Sequence, residues 1–338
     1  MALTQITDII NPSVFLGYQK DYTPQSFDLL ASSALTGVPA EVEAQMAAGG
    51  TIIDMPFWND IARGEPQLVN DDPSSIGVPK NVTATKEQAR KLYLAEAWSQ
   101  ADLAGMIATG SAKDPLAQIS DNIALYWRNA AMQSVLKVLD GIRADNAAND
   151  SSDMRYSVYS DIATPLAANK ISPAAVNRAR LTQGEMLNQT GTIVMHSKVY
   201  GDALDQEAIT FVQPSNLPFQ IAKFAGMDVV ISDSCTVSTG FSNTPMYRSY
   251  ILGAGALAWT ENFPEMAVEK HREPLQGNLG GTTTLITRRN RLFHVRGYTF
   301  TSSSVAGKSP TWAELATAAN WDRKRARKSV KIAFLETN

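Results

Sequence analysis

The sequence predicts an α+β fold with an extended N-terminal arm and a long loop. Three observations support this prediction: one very long amphipathic helix candidate, a turn-rich stretch that precedes it, and a series of strand candidates that follows it. The chain has 338 residues, of which 44% are hydrophobic and 19% are charged. This composition is typical of a globular protein that can bury a large core, and the length suggests two domains.

The long helix is predicted over residues 114–146. Asp114 is a suitable N-cap, and Pro115 suits the first helical position, where its missing N–H costs nothing. At the usual rise per residue, about 33 residues form a rod roughly 50 Å long. Such a strut among strands indicates a structural building block more than a catalytic scaffold. The apolar residues that recur at three-to-four spacing are Leu116, Ile119, Ile123, Tyr126, Trp127, Ala130, Ala131, Leu136, Leu139 and Ile142.

The segments before this helix predict an arm and a loop. Residues 1–45 are punctuated by proline and are predicted to form the arm, with a short helix near residues 39–48. From residue 49 to 82, turn-forming residues dominate, and only residues 51–58 suggest a strand. A loop of this length without a helix usually indicates function or disorder. Residues 83–107 are predicted to begin as a helix, because KEQARKLYLAEAW is rich in helix-forming residues.

The segments after the long helix combine helices with many strands. A polar loop is predicted at residues 146–153, and Ser172 as N-cap with Pro173 behind it predicts a helix to about residue 188. Two further helices are predicted over residues 198–208 and 312–320. The strand candidates are residues 192–196, 227–232, 247–252, 266–270, 282–287, 292–300 and 330–335. No internal repeat is visible.

Charge and cysteine content exclude several functional classes. The net charge of −3 argues against a wide surface for non-specific nucleic-acid binding. Cys235 is the only cysteine, which excludes an internal disulfide and every multi-cysteine zinc or iron–sulfur site. The histidines, His196, His271 and His294, lie far apart in sequence without the spacing of zinc ligands. The sequence therefore predicts no catalytic residue, no cofactor and no metal.

The sequence shows no targeting or membrane signal. The N-terminus lacks a positively charged segment, so no secretory signal is expected. The longest apolar stretch, residues 250–259, is too short to span a bilayer. These observations predict a protein that is made in a reducing cytoplasm, stays there and does not contact a membrane.

Two local motifs suggest chemistry but fit a structural interpretation better. Residues 253–258 match the loose dinucleotide-binding pattern GxGxxA. That pattern requires a helix directly after it, but Pro264 would end any such helix within two turns. Small residues that pack a strand against its neighbours explain the motif better. His196 stands beside Ser197, but adjacent strand residues point to opposite faces and do not meet. We expect a strand end there, followed by a helix whose N-cap is Ser197.

Charged residues cluster in two segments. The acidic segment has no metal-binding spacing, and we expect its carboxylates to be solvated or to pair across a contact; they are Asp54, Asp60, Glu65, Asp71 and Asp72. The basic run consists of Arg323, Lys324, Arg325, Arg327 and Lys328. This run could bind phosphate. The favoured interpretation is an exposed edge or an intersubunit ion-pair surface, since charges on an edge strand discourage unwanted strand pairing.

Read in order, these segments resemble the major capsid proteins of tailed bacteriophages. The resemblance covers nearly the whole chain, and the ordered set is more specific than any one piece. One departure is Val295, which stands where a proline is expected after His294. The matching pieces are residues 51–58, 97–98, 102–104, 114–115, 126–127, 139–141, Ser172, Ala179, 184–185, 195–197, 226–233, 253–256, 293–294, Gly297, 309–311, 320–321 and 337–338.

The resemblance implies the Hong Kong 97-like capsid fold, which encapsulins and herpesvirus capsid floors share. It assigns residues 1–45 to an N-terminal arm and residues 46–95 to an extended loop and the start of the following helix. Residues 96–165 would form the peripheral domain with the spine helix at 114–146, and residues 166–261 the axial domain. Residues 262–338 would supply strands that return to the peripheral domain and a C-terminal segment.

The resemblance also implies a function in assembly. The expected product is an icosahedral shell of hexamers and pentamers that encloses double-stranded DNA, assembled in the host cytoplasm and found in the virion capsid. The expected partners are a separate scaffolding protein, the portal and head-completion proteins, and packaged DNA that is contacted weakly and non-specifically. The residues expected at subunit contacts are Trp58, Arg63, Glu65, Arg323, Lys324, Arg325, Arg327 and Lys328.

Two alternatives from other classes remain open at this stage. An encapsulin-like compartment shares the implied fold and differs in holding a cargo enzyme instead of DNA. An enzyme would require His196, His271 and a carboxylate to meet in one pocket.

Overall fold

A computed structural model describes residues 28–61, 64–69, 71, 74, 76–104, 115–212 and 221–338. Its helices are α1 (Asp28–Ala31), α2 (Ala40–Ala47), α3 (Pro115–Asn149), α4 (Pro173–Leu181), α5 (Ser197–Asp205) and α6 (Trp312–Leu315). Its strands are β1 (Leu35–Gly37), β2 (Ile52–Trp58), β3 (Ala84–Ala101), β4 (Arg155–Ser157), β5 (Thr190–Met195), β6 (Ile209–Val212), β7 (Ile221–Phe224), β8 (Met227–Ile231), β9 (Val237–Thr239), β10 (Pro245–Gly253), β11 (Leu257–Asn262), β12 (Val268–Glu273), β13 (Thr282–Val295), β14 (Tyr298–Phe300), β15 (Trp321–Arg323) and β16 (Ile332–Thr337).

The strands form two large sheets and a small ribbon. The six-stranded sheet has the order β1-β11-β13-β3-β2, with β12 also paired to β13. The eight-stranded sheet has the order β4-β16-β10-β5-β8-β7-β6, with β9 also paired to β10. β14 and β15 form the ribbon. Helices and mixed sheets together confirm the predicted α+β class.

The long helix α3 is confirmed and spans 35 residues. Pro115 is its first residue, whereas the predicted N-cap, Asp114, lies outside the described residues. Leu136, Leu139 and Ile142 are fully buried and belong to a core cluster that also contains Tyr250 of β10. Full burial of each such side chain stabilises the fold by about 1.5–3 kcal/mol. The same cluster contains Leu92 of β3 and Phe293 of β13, so the apolar stripe packs the helix into a core that both large sheets share.

The predicted arm packs on the subunit body from residue 28 onwards. Leu29 and Ala34 are fully buried in the same core cluster as α3. β1 pairs in parallel with β11, so this segment extends the six-stranded sheet. α2, predicted near residues 39–48, follows it, and its Val42 and Met46 are buried beside Ile53 of β2.

The helix predicted at the start of residues 83–107 is wrong, because this segment is the strand β3. Residues 84–90 pair with β2, and residues 91–101 pair with β13. Two partner ladders satisfy its backbone hydrogen bonds, and Glu87, Ala89 and Lys91 alternate as buried residues along it. Helix propensity is a weak preference that tertiary pairing overrides, and alternate burial is the stronger signal here.

The capping predictions have mixed outcomes. Ser172 caps α4 as predicted, since its Oγ accepts a hydrogen bond of 3.2 Å from the Ala175 amide. The cap predicted at Ser197 is wrong, because Nδ1 of His196 accepts from the Lys198 amide at 3.1 Å and His196 is the N-cap of α5. An imidazole nitrogen thus takes the role that a hydroxyl oxygen usually fills.

The strand predictions are correct in type and inexact at their ends. The two strands predicted at residues 282–287 and 292–300 are one long strand, β13, followed by a turn at Gly297 and the short β14. Gly297 has φ +94°, a conformation that favours glycine. Apart from β3, the strands without a counterpart among the predicted strands are β1, β4, β6, β7, β9, β11 and β15. Within the described ranges, no helix combines the length and apolarity that crossing a bilayer requires.

Asp145 is a buried carboxylate near the C-terminal end of α3. Its side chain is 1% exposed, and one carboxylate oxygen accepts a hydrogen bond of 2.7 Å from Asn149. The other oxygen, Oδ2, has no hydrogen-bond partner in the described part of the chain. Burial, assisted by the carboxylates of Asp150 and Asp322, raises the pKa of Asp145 to about 6, although Asn149 acts against it.

We expect Asp145→Asn to stabilise the unassembled subunit by about 2 kcal/mol at pH 8 and by almost nothing at pH 4. The folded-state pKa lies above the ordinary value of 3.8, so the cost of the ionised form is absent below pH 4 and complete above pH 6. Urea unfolding at both pH values measures the difference. Asp205→Asn, an exposed carboxylate at the end of α5, is the matched control and should change little. Equal stabilisation at both pH values would contradict the ionisation argument.

Candidate subunit interface

The described loop that joins β2 to β3 is built on a regular antiparallel ladder. The ladder runs from Ile52 opposite Arg90 to Trp58 opposite Ala84. β2 is the edge strand of its sheet, where Pro56 is tolerated because no neighbour needs its missing N–H. These strands carry the connecting loop, whose described residues between 60 and 83 are all exposed.

Side chains close the ladder at its outer end and along its face. Nδ2 of Asn59 donates to Oγ1 of Thr83 and of Thr85, at 2.8 Å each. The carboxylate of Asp54 accepts from Nζ of Lys86 at 2.9 Å and from Nε2 of Gln88 at 2.7 Å. The first of these hydrogen bonds, from Lys86, lowers the pKa of Asp54. Asp54 thus stabilises its own hairpin.

The loop exposes a series of large apolar side chains. Trp58 is 73% exposed, and Val69 is fully exposed. Gln67 holds the two halves of the loop together, since its Oε1 accepts from the Val78 amide at 2.9 Å and its Nε2 donates to the Val78 carbonyl. Exposed apolar side chains in a continuous group are typical of a contact surface. The other large apolar residues exposed here are Ile61, Leu68, Ile76, Val78 and Val82.

A buried lysine fixes the base of the hairpin. Lys91 of β3 is fully buried, and its Nζ donates to the carbonyls of Gln45 at 2.5 Å and Ala48 at 2.6 Å, with Met46 at 3.4 Å. These carbonyls lie at the C-terminal end of α2, where helix carbonyls lack intrahelical partners and the helix dipole favours a cation. Burial lowers the pKa of Lys91. No signal in the sequence distinguished this lysine.

Arg325 links the C-terminal segment to both strands of the hairpin. Its Nε donates to Glu87 of β3 at 2.5 Å, and its guanidinium carbon lies 4.1 Å from the centre of the Phe57 ring of β2. Glu87 also contacts Nε2 of His294 at 2.8 Å. Burial acts to raise the pKa of Glu87, but the hydrogen bonds from His294 and Arg325 outweigh it and hold the pKa below its usual value.

Two other members of the basic run are paired within the subunit. Arg323 donates to Asp153 at 2.8 and 3.0 Å and lies 3.0 Å from a carboxylate oxygen of Asp150. Arg327 donates to the Val330 carbonyl at 2.9 Å and to Oγ1 of Thr182 at 2.6 Å, and burial lowers its pKa to about 10. The exposed edge predicted from the sequence is therefore wrong for Arg323 and Arg327, because internal acceptors hold both side chains.

The remaining interface candidates are placed differently. Lys324 pairs with Asp322, and Lys328 lies 3.3 Å from Glu185 in an exposed pair. Glu65 is exposed on the loop. Arg63 lies outside the described residues. A subunit contact stays a prediction for all eight residues, and the surface geometry suits Trp58 and Glu65 best.

The histidines do not converge on one pocket. His196 caps α5 beside the eight-stranded sheet, and its ring lies 5.1 Å from that of Tyr247. His271 lies on β12 of the six-stranded sheet, 3.4 Å from Glu273. Across the described ranges, no group of three or more histidine, cysteine or acidic residues is arranged to hold a metal ion. The cluster required for the enzyme alternative is therefore not formed by these residues.

The glycine motif at residues 253–258 is a turn between β10 and β11, as the packing interpretation predicts. A Cβ on Gly253 would lie 2.7 Å from the Gln189 carbonyl oxygen, so only glycine fits there. Gly255 has φ +64°. The motif links the two large sheets, with no helix behind it.

Comparison with known proteins identifies the family. The family described as Gp13-like, Major capsid protein 13-like, matches residues 106–332. The Major capsid protein of Bacillus phage SPP1 is 32% identical over 333 residues, which cover 98% of this chain and 97% of that protein. The chain belongs to the Gp13-like family of phage major capsid proteins. The predicted family is thereby confirmed.

Solved structures support the fold of this capsid protein. The capsid of Cyanophage Pam1 has a TM-score of 0.59 at 9% identity and covers 100% of this chain and 98% of its own. The capsid of Ralstonia phage GP4 has a TM-score of 0.54 at 12% identity and covers 94% of both chains. The Hong Kong 97-like fold predicted from the resemblance is confirmed. This capsid protein is a structural component of the virion.

Proposed function

We propose that many copies of this capsid protein assemble into the hexamers and pentamers of an icosahedral shell that encloses double-stranded DNA. The observation that carries the proposal is the loop between β2 and β3, whose large apolar side chains are exposed in the isolated subunit. A neighbouring subunit that covers them gains the free energy of apolar burial. A subunit joined to several neighbours gains further from the linkage of its contacts.

The proposal includes a division of the subunit into regions. Residues 1–45 are the arm, 46–95 the extended loop, 96–165 the peripheral domain, 166–261 the axial domain, and 262–338 return to the peripheral domain. A separate core cluster that contains Ile193, Phe224 and Ile251 lies mostly within residues 166–261, with Ala333 and Leu335 of β16 added, and it supports the axial assignment of this region.

The proposed partners follow from assembly. A separate scaffolding protein guides the lattice, and portal and head-completion proteins join the shell, which assembles in the host cytoplasm. The net charge of −3 favours a lining that contacts packaged DNA weakly and non-specifically.

We expect Trp58→Ala to reduce shell formation at least tenfold while the unassembled subunit keeps its stability. Trp58 is 73% exposed, so its truncation costs the subunit little, whereas a tryptophan at the centre of a contact contributes about 2 kcal/mol or more. Electron microscopy and size-exclusion light scattering, with the scaffolding protein present, measure assembly. Trp58→Phe is the matched control and should retain part of it.

Several outcomes would count against the proposal. Normal shells from Trp58→Ala would remove Trp58 from the interface. A wild-type subunit that stays monomeric with its scaffolding protein would overturn the assembly proposal. Shells that hold a cargo protein and no nuclease-protected DNA would instead support the encapsulin-like alternative.

A further inference from the structure

A basic pocket lies where the C-terminal segment meets the turn between β10 and β11. Its volume is about 320 Å³, and it is lined by four cationic side chains and one carboxylate. The cations are Arg296, Arg325, Lys328 and Lys331, and the carboxylate is Glu185. The whole chain carries a net charge of −3, so this excess of positive charge is a local feature.

Arg325 is neutralised by Glu87, but the other cations of the pocket have weak partners or none in the described part of the chain. The side chain of Arg296 is exposed and contacts no hydrogen-bond or ion-pair partner in the described part of the chain. Nζ of Lys331 reaches only the Ala254 carbonyl, at 3.4 Å. The pair between Lys328 and Glu185 is exposed at both ends, and such pairs contribute little. Arg296 and Lys331 are therefore the cations that can bind an external anion.

The loop between β2 and β3 carries matching carboxylates. Asp60, Glu65 and Asp71 are exposed and have no partner among the residues described. They alternate in sequence with the exposed apolar residues Leu68 and Val69. Met186 and Ala256 add apolar lining beside the cations of the pocket. The pocket can therefore contact both the acidic and the apolar side chains of the loop.

We propose that this pocket receives the acidic loop of a second copy of the chain, with Glu65 or Asp71 of one subunit bound to Arg296 and Lys331 of the next. The inference rests on the proposed function and names the surface that the loop engages. Arginine binds a carboxylate through two parallel hydrogen bonds, which gives such a contact direction as well as strength.

A protein carboxylate fits the pocket better than a DNA phosphate does. Glu185 lies in the lining and repels the continuous negative charge of a nucleic-acid backbone. The volume of about 320 Å³ holds a few side chains, whereas a duplex requires an extended basic surface.

Cross-linking between differently tagged subunits tests the contact. Asp71→Cys in one preparation and Arg296→Cys in the other are mixed under assembly conditions and joined with a short bismaleimide, because an arginine–carboxylate pair spans more than a disulfide allows. We expect a covalent heterodimer, with little background because Cys235 is buried. Asp71→Cys mixed with Lys308→Cys, an exposed lysine on another loop, is the control and should give at least tenfold less. Equal yields would overturn the proposal.

Charge exchange separates this inference from the proposed function. We expect Arg296→Glu with Lys331→Glu to reduce assembly at least tenfold, Glu65→Arg with Asp71→Arg to do the same, and all four changes together to restore it within threefold. Normal wild-type shells with unaffected charge variants would overturn the pocket assignment and leave the assembly proposal in place. Normal assembly with loss of retained DNA would assign the pocket to phosphate and overturn the inference. Wild-type protein that never assembles would remove the basis of both.

Discussion

Gly141→Ala is expected to destabilise the subunit by roughly 3–5 kcal/mol or to prevent its folding. Gly141 lies inside α3, where alanine would ordinarily be preferred by about 1 kcal/mol. A Cβ at this position would lie 2.1 Å from the Leu315 carbonyl oxygen and 2.3 Å from Nε1 of Trp321. These two atoms share a hydrogen bond of 2.7 Å, which sits directly on the helix surface. The added methyl group therefore breaks this bond or moves α6 and β15 away from α3.

Gly201→Ala is the matched control for this prediction. Gly201 also lies inside a helix, α5, but a Cβ there would meet nothing within 4 Å. We expect stabilisation of about 0.4–1 kcal/mol from the reduced entropy of the unfolded chain. Chemical unfolding of both unassembled variants measures the contrast. A Gly141→Ala subunit as stable as the wild type would show that the helix is free to shift at this point.

Glu336→Gln is expected to cost about 3–5 kcal/mol, because it removes the buried charge that compensates Arg143, whose side chain is 17% exposed. The Glu336 side chain is 2% exposed and lies 3.1 Å from Arg143 of α3 and 3.3 Å from Arg155 of β4. Arg248 of β10 lies at 4.0 Å and also pairs with Asp140 at 3.3 Å. The carboxylate therefore joins the long helix to three strands of the eight-stranded sheet.

Thermal and urea unfolding of unassembled Glu336→Gln measure this cost. Glu269→Gln is the control, since Glu269 pairs with Arg288 at the surface and their side chains are 41% and 34% exposed. That exposed pair is worth at most about 1 kcal/mol. The double variant Arg143→Met with Glu336→Gln should recover part of the loss, because it removes one uncompensated charge. Similar losses for Glu336→Gln and Glu269→Gln would contradict the argument.

The parts of the fold that sequence reasoning predicted are those whose signal is local. The apolar stripe of α3 and the succession of Ser172 and Pro173 are patterns within one segment, and both helices begin where expected, although α4 ends at Leu181 and not near residue 188. β3 was missed because its residues favour a helix in isolation, while its strand conformation depends on β2 and β13. Strand partners that are distant in sequence cannot be recognised from the local pattern of one segment.

The same limit applies to the candidate interface. The basic run was visible in the sequence, but nothing in it showed that Arg325 would meet Glu87 and Phe57 of its own hairpin. The burial of Lys91 against the carbonyls of α2 had no sequence signal either. The family could be predicted because the resemblance rests on many short matches in a fixed order, although each match alone is unspecific. Contacts between subunits form between the surfaces of two chains, so the sequence of one chain does not reveal which residues meet.

The two-part pairing of β3 has a mechanical consequence. Its outer part, residues 84–90, pairs with β2, and its inner part, residues 91–101, pairs with β13. If a neighbouring copy pulls on the loop, as the proposed function implies, the tension passes along β3 into the body of the subunit. A pull parallel to the strands shears the ladder with β13, so its hydrogen bonds must break together and cannot peel apart singly. Under internal pressure, we therefore expect a shell to yield first between subunits, with each loop still attached to its own body.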